Sequence, residues 1–475
     1  MLTCILIVFL VGYLCIALEH PLKINKAGTA LLTGTILWVL YTFSVTDFVP
    51  TVSGESFEIF KALNPSVQEM SLKNQCIHFV LEHQMLDSVG EIAETLIFLI
   101  GAMITVELID SHGGFTFITN RIKTKRKKKL LLLIATLTFF MSAILDNLTT
   151  SIVMIMLIRK LIGNYKERWV FGSIIIIAAN SGGAWSPIGD VTTIMLWVKG
   201  NISTEATIPN LILPSMVSAI VPTLFIMRKM HGNVTAPIIT KEVNDNPLLS
   251  ILADREKLAL LVLGVISLLF VPVFKTITHL PPFVGILMAV GALWVYTEIM
   301  YQKKQDIDEN IKLRLANVIR RIDGATLMFF LGILLAVEVL RYSGILTNFS
   351  TWLDENIGNV FAVNIIIGTL SAIVDNVPLV AGAIGMYPIA TEAMVEAAAN
   401  PEYLSHFLQD GVFWQFLAYC AGVGGSMLII GSAAGVVVMG LERINFIWYL
   451  KNISFLAMLG YLSGAAVYII QTMIF

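Results

Sequence analysis

The sequence predicts an all-α polytopic membrane protein made of two inverted repeats, each with a re-entrant hairpin and a broken transmembrane helix. Composition carries the first part of that statement. Of 475 residues 56% are hydrophobic and only 13% are charged, about half the charged share of a soluble domain, and the mean hydropathy is +0.81. Apolar runs near the roughly 20 residues a helix needs to cross a bilayer recur along the chain, whereas a membrane β-barrel would show short alternating segments. An internal echo carries the second part. Ser142-Ala143-Ile144-Leu145-Asp146-Asn147 returns as Ser371-Ala372-Ile373-Val374-Asp375-Asn376. An aspartate inside an apolar segment costs about 3 kcal/mol or considerably more, so two in matched contexts point to a site that handles a cation or a proton.

Taken in order, the first apolar run covers residues 2–18. It lacks a basic leader and a small-residue cleavage site, and Glu19-His20-Pro21 follows it, so a retained helix is expected rather than a signal peptide. Further spans are expected at 27–47, 90–109, 170–198, 207–227, 258–275, 282–300, 324–341, 411–440 and 450–474. Residues 48–88 read as external, with a short amphipathic helix around 72–88.

Two apolar stretches, 130–158 and 358–391, do not behave as simple spans. Seven basic residues lie in Arg121–Lys129, and Arg159, Lys160, Lys166 and Arg168 follow the same stretch. Basic loops mark the cytoplasmic side, so 130–158 leaves the cytoplasm and returns to it. At about 1.5 Å per residue each arm reaches only mid-bilayer, which describes a hairpin with Asp146-Asn147 at its tip. The flanks of 358–391 instead hold Asp354, Glu355, Glu392, Glu396, Glu402 and Asp410 and no lysine or arginine between 343 and 357 or between 392 and 410. That hairpin enters from outside, with Asp375-Asn376 near its tip.

The duplication extends further. Thr95-Leu96-x-Phe98-x-x-Gly101 ending in Val106-Glu107 matches Thr326-Leu327-x-Phe329-x-x-Gly332 ending in Val337-Glu338, 231 residues on. The hairpin phrases lie 229 apart, and Gly182-Gly183 with Gly189 matches Gly424-Gly425 with Gly431 at 242. The expected division is an N-terminal repeat over 1–227, a cytoplasmic connector over 228–257 containing Pro237 and Pro247, and an inverted C-terminal repeat over 258–475. Inverted repeats with broken helices meeting at the midplane are the architecture of secondary transporters. Residues 301–323 form a second basic cytoplasmic loop.

After each hairpin comes a glycine-broken span. The first runs Ala179-Asn180-Ser181-Gly182-Gly183-Ala184-Trp185-Ser186-Pro187-Ile188-Gly189-Asp190-Val191-Thr192-Thr193. Proline, three glycines and an aspartate interrupt the helical hydrogen-bond ladder, and irregular backbone at membrane depth is tolerated only in a protein interior or beside a water-filled cavity. Freed carbonyls and Asn, Ser and Thr oxygens are hard ligands suited to Na⁺ or Li⁺. The second break offers Ser426 and Ser432, with Ser432 where the first half has Asp190. Candidate cation and proton ligands are therefore Asp146, Asn147, Thr149, Thr150, Asn180, Ser181, Gly182, Ser186, Asp190, Thr193, Asp375, Asn376, Ser426 and Ser432. Asp146, Asn147, Asp375 and Asn376 form the expected core of a Na⁺ site, with Glu107 and Glu338 as secondary candidates.

Plainer structural roles stand beside each of these. Glycines spaced four apart also suit close helix packing, Asp190 could cap a helix end, and Thr149 and Thr150 could bond their own backbone. The cysteines Cys4, Cys15, Cys76 and Cys420 have no metal-ligand spacing, so neither a zinc site nor a disulfide framework is expected. No organic cofactor and no nucleic-acid partner is expected, and the Lys-rich 121–129 reads as a topology anchor beside membrane lipid. His20, His83 and His112 read as loop or interface residues.

With these residues in view, Gly101-Ala102-Met103-Ile104-Thr105-Val106-Glu107, Leu145-Asp146-Asn147-Leu148-Thr149-Thr150 and Ala178 through Thr193 resemble the NhaD family of Na⁺/H⁺ antiporters. That family belongs to the ion transporter superfamily, which also includes dicarboxylate and arsenite carriers. The resemblance covers nearly the whole chain. It implies a homodimer with scaffold and transport regions in each protomer, an elevator-like motion, and Na⁺, Li⁺ and H⁺ as transported ions. Asp146-Asn147 and Asp375-Asn376 stand where dicarboxylate carriers have Ser-Asn-Thr, and Gly189-Asp190 where they have a Gly-Thr-Pro-Pro-like sequence. Exchanging those features for carboxylates favours cation exchange. One departure is the order Ile104-Thr105, where a threonine commonly follows the residue at Met103. A bacterial inner membrane is the expected location.

Two alternatives compete. A sodium-coupled anion or dicarboxylate carrier would share the fold, but no arginine lies at an expected tip or break. An intramembrane aspartyl protease would need a Tyr-Asp and Gly-x-Gly-Asp pair, which Pro187-Ile188-Gly189-Asp190 does not supply. An enzyme is not expected.

Overall fold

The structure, a computed structural model, describes the chain except residues 18–21, 116–121, 123, 236–251, 304–311, 313, 374–375, 399 and 475. Glu19, His20, Arg121, Lys123, Pro237, Pro247, Val374 and Asp375 therefore lie outside the described residues, as does most of the expected connector. The described chain is helical, with no β-sheet. Its principal helices are α1 Leu2–Ala17, α2 Lys26–Phe43, α3 Leu72–Ser111, α4 Lys127–Leu145, α5 Asn147–Leu161, α6 Tyr165–Ala184, α7 Val191–Val198 and α8 Thr204–Lys229. The second half supplies α9 Asp254–Thr278, α10 Pro282–Gln302, α11 Gly324–Tyr342, α12 Val360–Leu370, α13 Asn376–Met386, α14 Val412–Gly424, α15 Ala433–Glu442 and α16 Phe446–Ile474. Among the described residues seven helices are long and apolar enough to cross a membrane, or eight if a bent pair counts as one span.

Both hairpins and both broken helices form. The first hairpin is α4 and α5, reversed at Asp146, and the second is α12 and α13. The broken helices are α6–α7, interrupted over 185–190, and α14–α15, interrupted over 425–432. Contacts at the helix ends establish the inversion. Lys127 at the start of α4 pairs with Glu167 at the start of α6 at 2.8 Å, and Gly163 donates its amide to Thr235 O at 2.8 Å. The mouth of the first hairpin thus lies beside the C-terminal end of α8, a basic end. Tyr387 after α13 donates to Asp354 before α12 at 3.0 Å, Ala390 donates its amide to Phe407 O, and Asp410 donates its amide to Asn201 O just before α8. The mouth of the second hairpin therefore lies at the N-terminal end of α8, an acidic end, about 39 Å away at 1.5 Å per residue.

Equivalent contacts repeat in the two halves. Ser142 Oγ donates to Ala179 O at 2.6 Å, and Ser371 Oγ, 229 residues on, donates to Ala421 O at 2.9 Å. Each bond ties a hairpin to the following broken helix. Glycines close the same seams: a Cβ on Gly182 would strike the Phe139 carbonyl, and one on Gly424 would strike the Gly368 carbonyl.

Several boundaries differ from expectation. Residues 72–88 are not a separate helix but the first turns of α3, a 40-residue helix, so the chain from Leu72 to the end of the span is continuous. The span expected over 27–47 stops at Phe43, and Val45–Val52 turns away by 85°. Arm α4 has 19 residues, about 28 Å, longer than a half-bilayer reach. Gly182 and Gly183 stay inside α6, and unwinding begins only at Trp185, ahead of Pro187, whose ring and missing N–H cannot extend a helix.

Packing sorts the helices into two bodies. One contains the hairpins, the broken helices, α8 and α16. The other contains α1, α2, α3, α9, α10 and α11, with α2 crossing α11 where Gly34 meets Gly332 backbone to backbone.

Candidate functional site

Asp146 ends α4 and opens α5. Its φ of 75° lies in the left-handed region that few L-residues visit, and its carboxylate stabilises the turn. Oδ1 accepts the Thr149 amide at 2.8 Å and Oδ2 accepts the Thr149 hydroxyl at 3.1 Å. The carboxylate sits at the N-terminal end of α5, where side-chain oxygens accept the first unpaired backbone amides and the helix dipole is positive. Next to it Asn147 donates through Nδ2 to Asn180 Oδ1 at 3.1 Å.

Asn180 joins the halves. Its own Nδ2 donates to Ser426 Oγ at 3.0 Å and to Ser432 Oγ at 2.9 Å. Ser432 caps α15 by accepting the Gly435 amide, as Asp190 occupies the N-cap of α7. The sequence-level equivalence of those two positions is thus a structural one. Asp190 is 2% exposed. Its amide donates to Thr193 Oγ1, and that hydroxyl donates back to the Asp190 carbonyl at 2.9 Å. Its carboxylate accepts from Asn376 Nδ2, at the start of α13, at 3.2 Å.

A cavity of about 70 Å³ lies where the two bodies meet. Asp146, Asn147, Thr149, Asp190 and Asn376 line it from the hairpin body, and Lys26, Thr326, Phe329 and Phe330 line it from the other. Thr150, Asn180, Ser426 and Ser432 are buried and are not among the lining residues; Asn180, Ser426 and Ser432 are in the hydrogen-bond network. Ser181 accepts from Ser218 at 2.8 Å, Ser186 is in the turn of the break, and Gly182 serves packing. Glu107 and Glu338 do not line the cavity. Glu107 faces Arg321 at 3.9 Å, and Glu338 pairs with Arg341 at 3.0 Å.

Sequence reasoning missed Lys26, which no local pattern distinguishes from a loop-end lysine. It also missed Ser151 and Thr192. Their buried hydroxyls, like that of Thr150, have no hydrogen-bond partner among the described residues and are oxygen donors beside the tips and breaks. Their position next to Thr150 and Thr193 was the available clue. No group of three or more His, Cys, Asp or Glu side chains placed to hold a metal ion occurs among the described residues.

A second cavity of about 30 Å³ continues toward the acidic end between α3, α7, α11 and α13, four of the helices that line the main cavity. In α3 the lining moves from Leu99 and Met103 to Glu91 and Thr95, in α7 from Val191 to Lys199, in α11 from Phe329 to Glu338 and Arg341, and in α13 from Asn376 to Gly385. Lys199 is paired with Glu91 there.

Inverted repeats whose hairpin tips and helix breaks converge on a buried polar cavity define a secondary active transporter. Residues 13–405 match the family described as Citrate transporter. The chain is 42% identical to Sodium/proton antiporter 1 of Arabidopsis thaliana, over 98% of this chain and 71% of that protein. It is 39% identical to Sodium/proton antiporter 2 of the same plant over 98% of both, and 28% identical to the Na(+)/H(+) antiporter NhaD of Vibrio cholerae over 94% of this chain and 87% of that one. The chain belongs to the NhaD-type sodium/proton antiporter family, within that wider transporter family.

Proposed function

We propose that this integral membrane protein exchanges Na⁺, and Li⁺ as well, for H⁺, and so supports sodium and pH homeostasis. The observation that carries the reading is the cavity itself: two aspartates, Asp146 and Asp190, with amide and hydroxyl oxygens around them, at the seam of two helical bodies. Such hard oxygen ligands suit a small alkali cation. A carboxylate can hold either a proton or a cation, so protons and Na⁺ compete for the same oxygens, and that competition is the coupling. Asp146 and Asn147 form one side of the site and Asn376 the other, with Asp190 between them, and the sequence repeat assigns Asp375 the role in the second half that Asp146 has in the first.

The division into repeats over 1–227 and 258–475 belongs to this reading, as does an elevator-like motion. The hairpins and broken helices pack as one body against the other, so they can move together while the cavity changes the end to which it opens. Assembly as a homodimer rests on the family resemblance. A bacterial inner membrane is supported by the Vibrio cholerae relative and not by the Arabidopsis thaliana ones.

The test is a pH-gradient assay in proteoliposomes or everted vesicles. Na⁺ and Li⁺ should dissipate the gradient, and Asp146→Asn and Asp375→Asn should abolish the response in protein that still inserts. Full activity in Asp146→Asn would remove that residue from the mechanism. A carboxylate carrier is the second reading, favoured by the family description and by Lys26 in the cavity wall. Two aspartates in the same wall repel a carboxylate substrate. Uptake of labelled citrate without Na⁺/H⁺ exchange would establish it.

A further inference from the structure

Between α4 and α8 lies an apolar groove of about 100 Å³ that shares no lining residue with either cavity described above. Small side chains make its floor. Ala135 and Ala219 are buried, and Thr223 turns its hydroxyl into its own helix by donating to Ala219 O at 2.7 Å. Leu132 and Phe140 on α4 and Leu224 on α8 are exposed and stand up as its rims. The lining on α4 is 132, 135, 136, 139 and 140, and on α8 it is 216, 219, 220, 223 and 224, one face of each helix. Continued one turn toward the basic end, the α4 face reaches Lys128 and Lys129 and the α8 face reaches Arg228, all three exposed. These charges lie about 4–6 Å along the helices beyond Leu132 and Leu224. The two segments are tied together there, since Lys127 donates its amide to Gly232 O at 3.1 Å and Val234 donates its amide to Lys125 O at 2.8 Å. Glu167 is already paired with Lys127. The Arg228 guanidinium lies over the Phe225 ring, 5.5 Å from the centroid, a stacking that leaves its edge N–H donors for an anion.

We propose that this groove binds one anionic phospholipid, with an acyl chain in the trough and the phosphate held by Lys128, Lys129 and Arg228. A trough that is apolar along its length and cationic at one mouth matches an amphiphile with an anionic head. A peptide laid in it would leave backbone amides and carbonyls unpaired at membrane depth. The basic end also faces the leaflet that carries anionic lipid. The bound chain touches the transport machinery through aromatic rings. It rests on Phe139 and Phe140, which pack against Trp185, where α6 unwinds, at 5.9 and 6.4 Å. Occupancy of the groove therefore stiffens the first hairpin against the break. The binding itself does not depend on which ion the protein carries.

The test takes full-length protein in detergent and adds phosphatidylglycerol or phosphatidylcholine, reading retained lipid by native mass spectrometry and stability by thermal melting. Phosphatidylglycerol should leave one more lipid on the chain than phosphatidylcholine does and should raise the melting temperature. Lys129→Gln/Arg228→Gln should lower that retention about tenfold or more, while Lys303→Gln/Arg320→Gln should stay within about twofold of wild type. The second pair removes the same charge from exposed residues of the 301–323 loop, so it separates a built site from general attraction to a basic surface. Thr136→Trp, at an exposed position in the groove wall, fills the trough and should abolish retention with the cations intact. Glycerol phosphate, the head without the chain, should not stabilise the protein. Equal retention of the two lipids, equal loss in both charge pairs, or undiminished retention in Thr136→Trp overturns the proposal, as does stabilisation by glycerol phosphate equal to that by the lipid. Should Thr136→Trp fail to fold, the two charge pairs decide alone.

Discussion

Asn376 Nδ2 donates to Asp190 Oδ2 at 3.2 Å, joining the tip of the second hairpin to the break of the first half. The two residues lie 186 positions apart and belong to opposite repeats. Since Asp190 is at the N-cap of α7, this bond also fixes where α7 begins. A hydrogen bond to a charged group contributes about 1.5–3 kcal/mol, so Asn376→Ala should lower the exchange rate by about tenfold or more. If the pair acts as a unit, Asp190→Ala/Asn376→Ala will be no slower than Asp190→Ala alone. Additive losses in that cycle, measured as exchange rates in proteoliposomes, would mean that the two side chains act independently.

The glycines at the helix seams make opposite predictions according to what surrounds them. A Cβ on Gly182 would meet the Phe139 carbonyl and one on Gly424 the Gly368 carbonyl, both backbone atoms that cannot swing away. Overpacking of this kind costs about 1–3 kcal/mol, occasionally more, so Gly182→Ala and Gly424→Ala should both lower the melting temperature in detergent. A Cβ on Gly440, inside α15, would meet nothing within 4 Å. Gly440→Ala should hold or raise the melting temperature, since alanine favours a helix interior by about 0.5–1 kcal/mol. Equal losses at all three positions would show that the seams are not closed by glycine.

Much of the architecture was legible because a duplicated sequence announces itself. The Ser-x-x-x-Asp-Asn phrases and the opposed charges of their flanks led to two hairpins entering from opposite ends, and Lys127–Glu167 and Tyr387–Asp354 place their mouths there. Local rules served less well where tertiary contacts decide. Gly182 looked like a helix breaker, yet inside α6 its missing Cβ serves packing against Phe139, and Pro187 is what ends the helix. Glu107 and Glu338 share the matched blocks with cavity-lining Met103 and Phe329 or Phe330 but point to Arg321 and Arg341 instead. Lys26 reaches the cavity only because α2 packs along α11, a non-local relationship that no pattern within residues 18–30 encodes.

Glu442, at the end of α15, has a side chain only 1% exposed and accepts from Arg159 at 2.6 Å and Arg168 at 2.7 Å. It therefore clamps the end of the first hairpin and the start of α6 to the second broken helix. Removing both arginines strands a buried charge, at a cost of about 3–5 kcal/mol. Removing the carboxylate is milder, because the arginines are 39% and 21% exposed and regain water. Thermal melts should rank Arg159→Ala/Arg168→Ala well below Glu442→Gln, with Glu442→Gln below wild type. The reverse order would mean that the arginines, not the glutamate, bear the desolvation.

The two cavities between α3, α7, α11 and α13 trace a path from Asp190 toward the acidic end, and Lys199–Glu91 lies across its outer part. Both partners are partly exposed, at 24% and 44%, so the pair contributes at most about 1 kcal/mol to stability. Its larger effect is on access. With the native cysteines replaced, Ile384→Cys, in the wall of the outer cavity, should react slowly with a membrane-impermeant maleimide added at the acidic end. Adding Lys199→Gln should speed that reaction several-fold while the melting temperature changes little. Thr326→Cys, in the wall of the main cavity and two residues from the start of α11, should instead be reached from the basic end. Equal labelling of Ile384→Cys with and without Lys199 would show that apolar packing around Met195 and Ala381, and not the ion pair, closes the outer path.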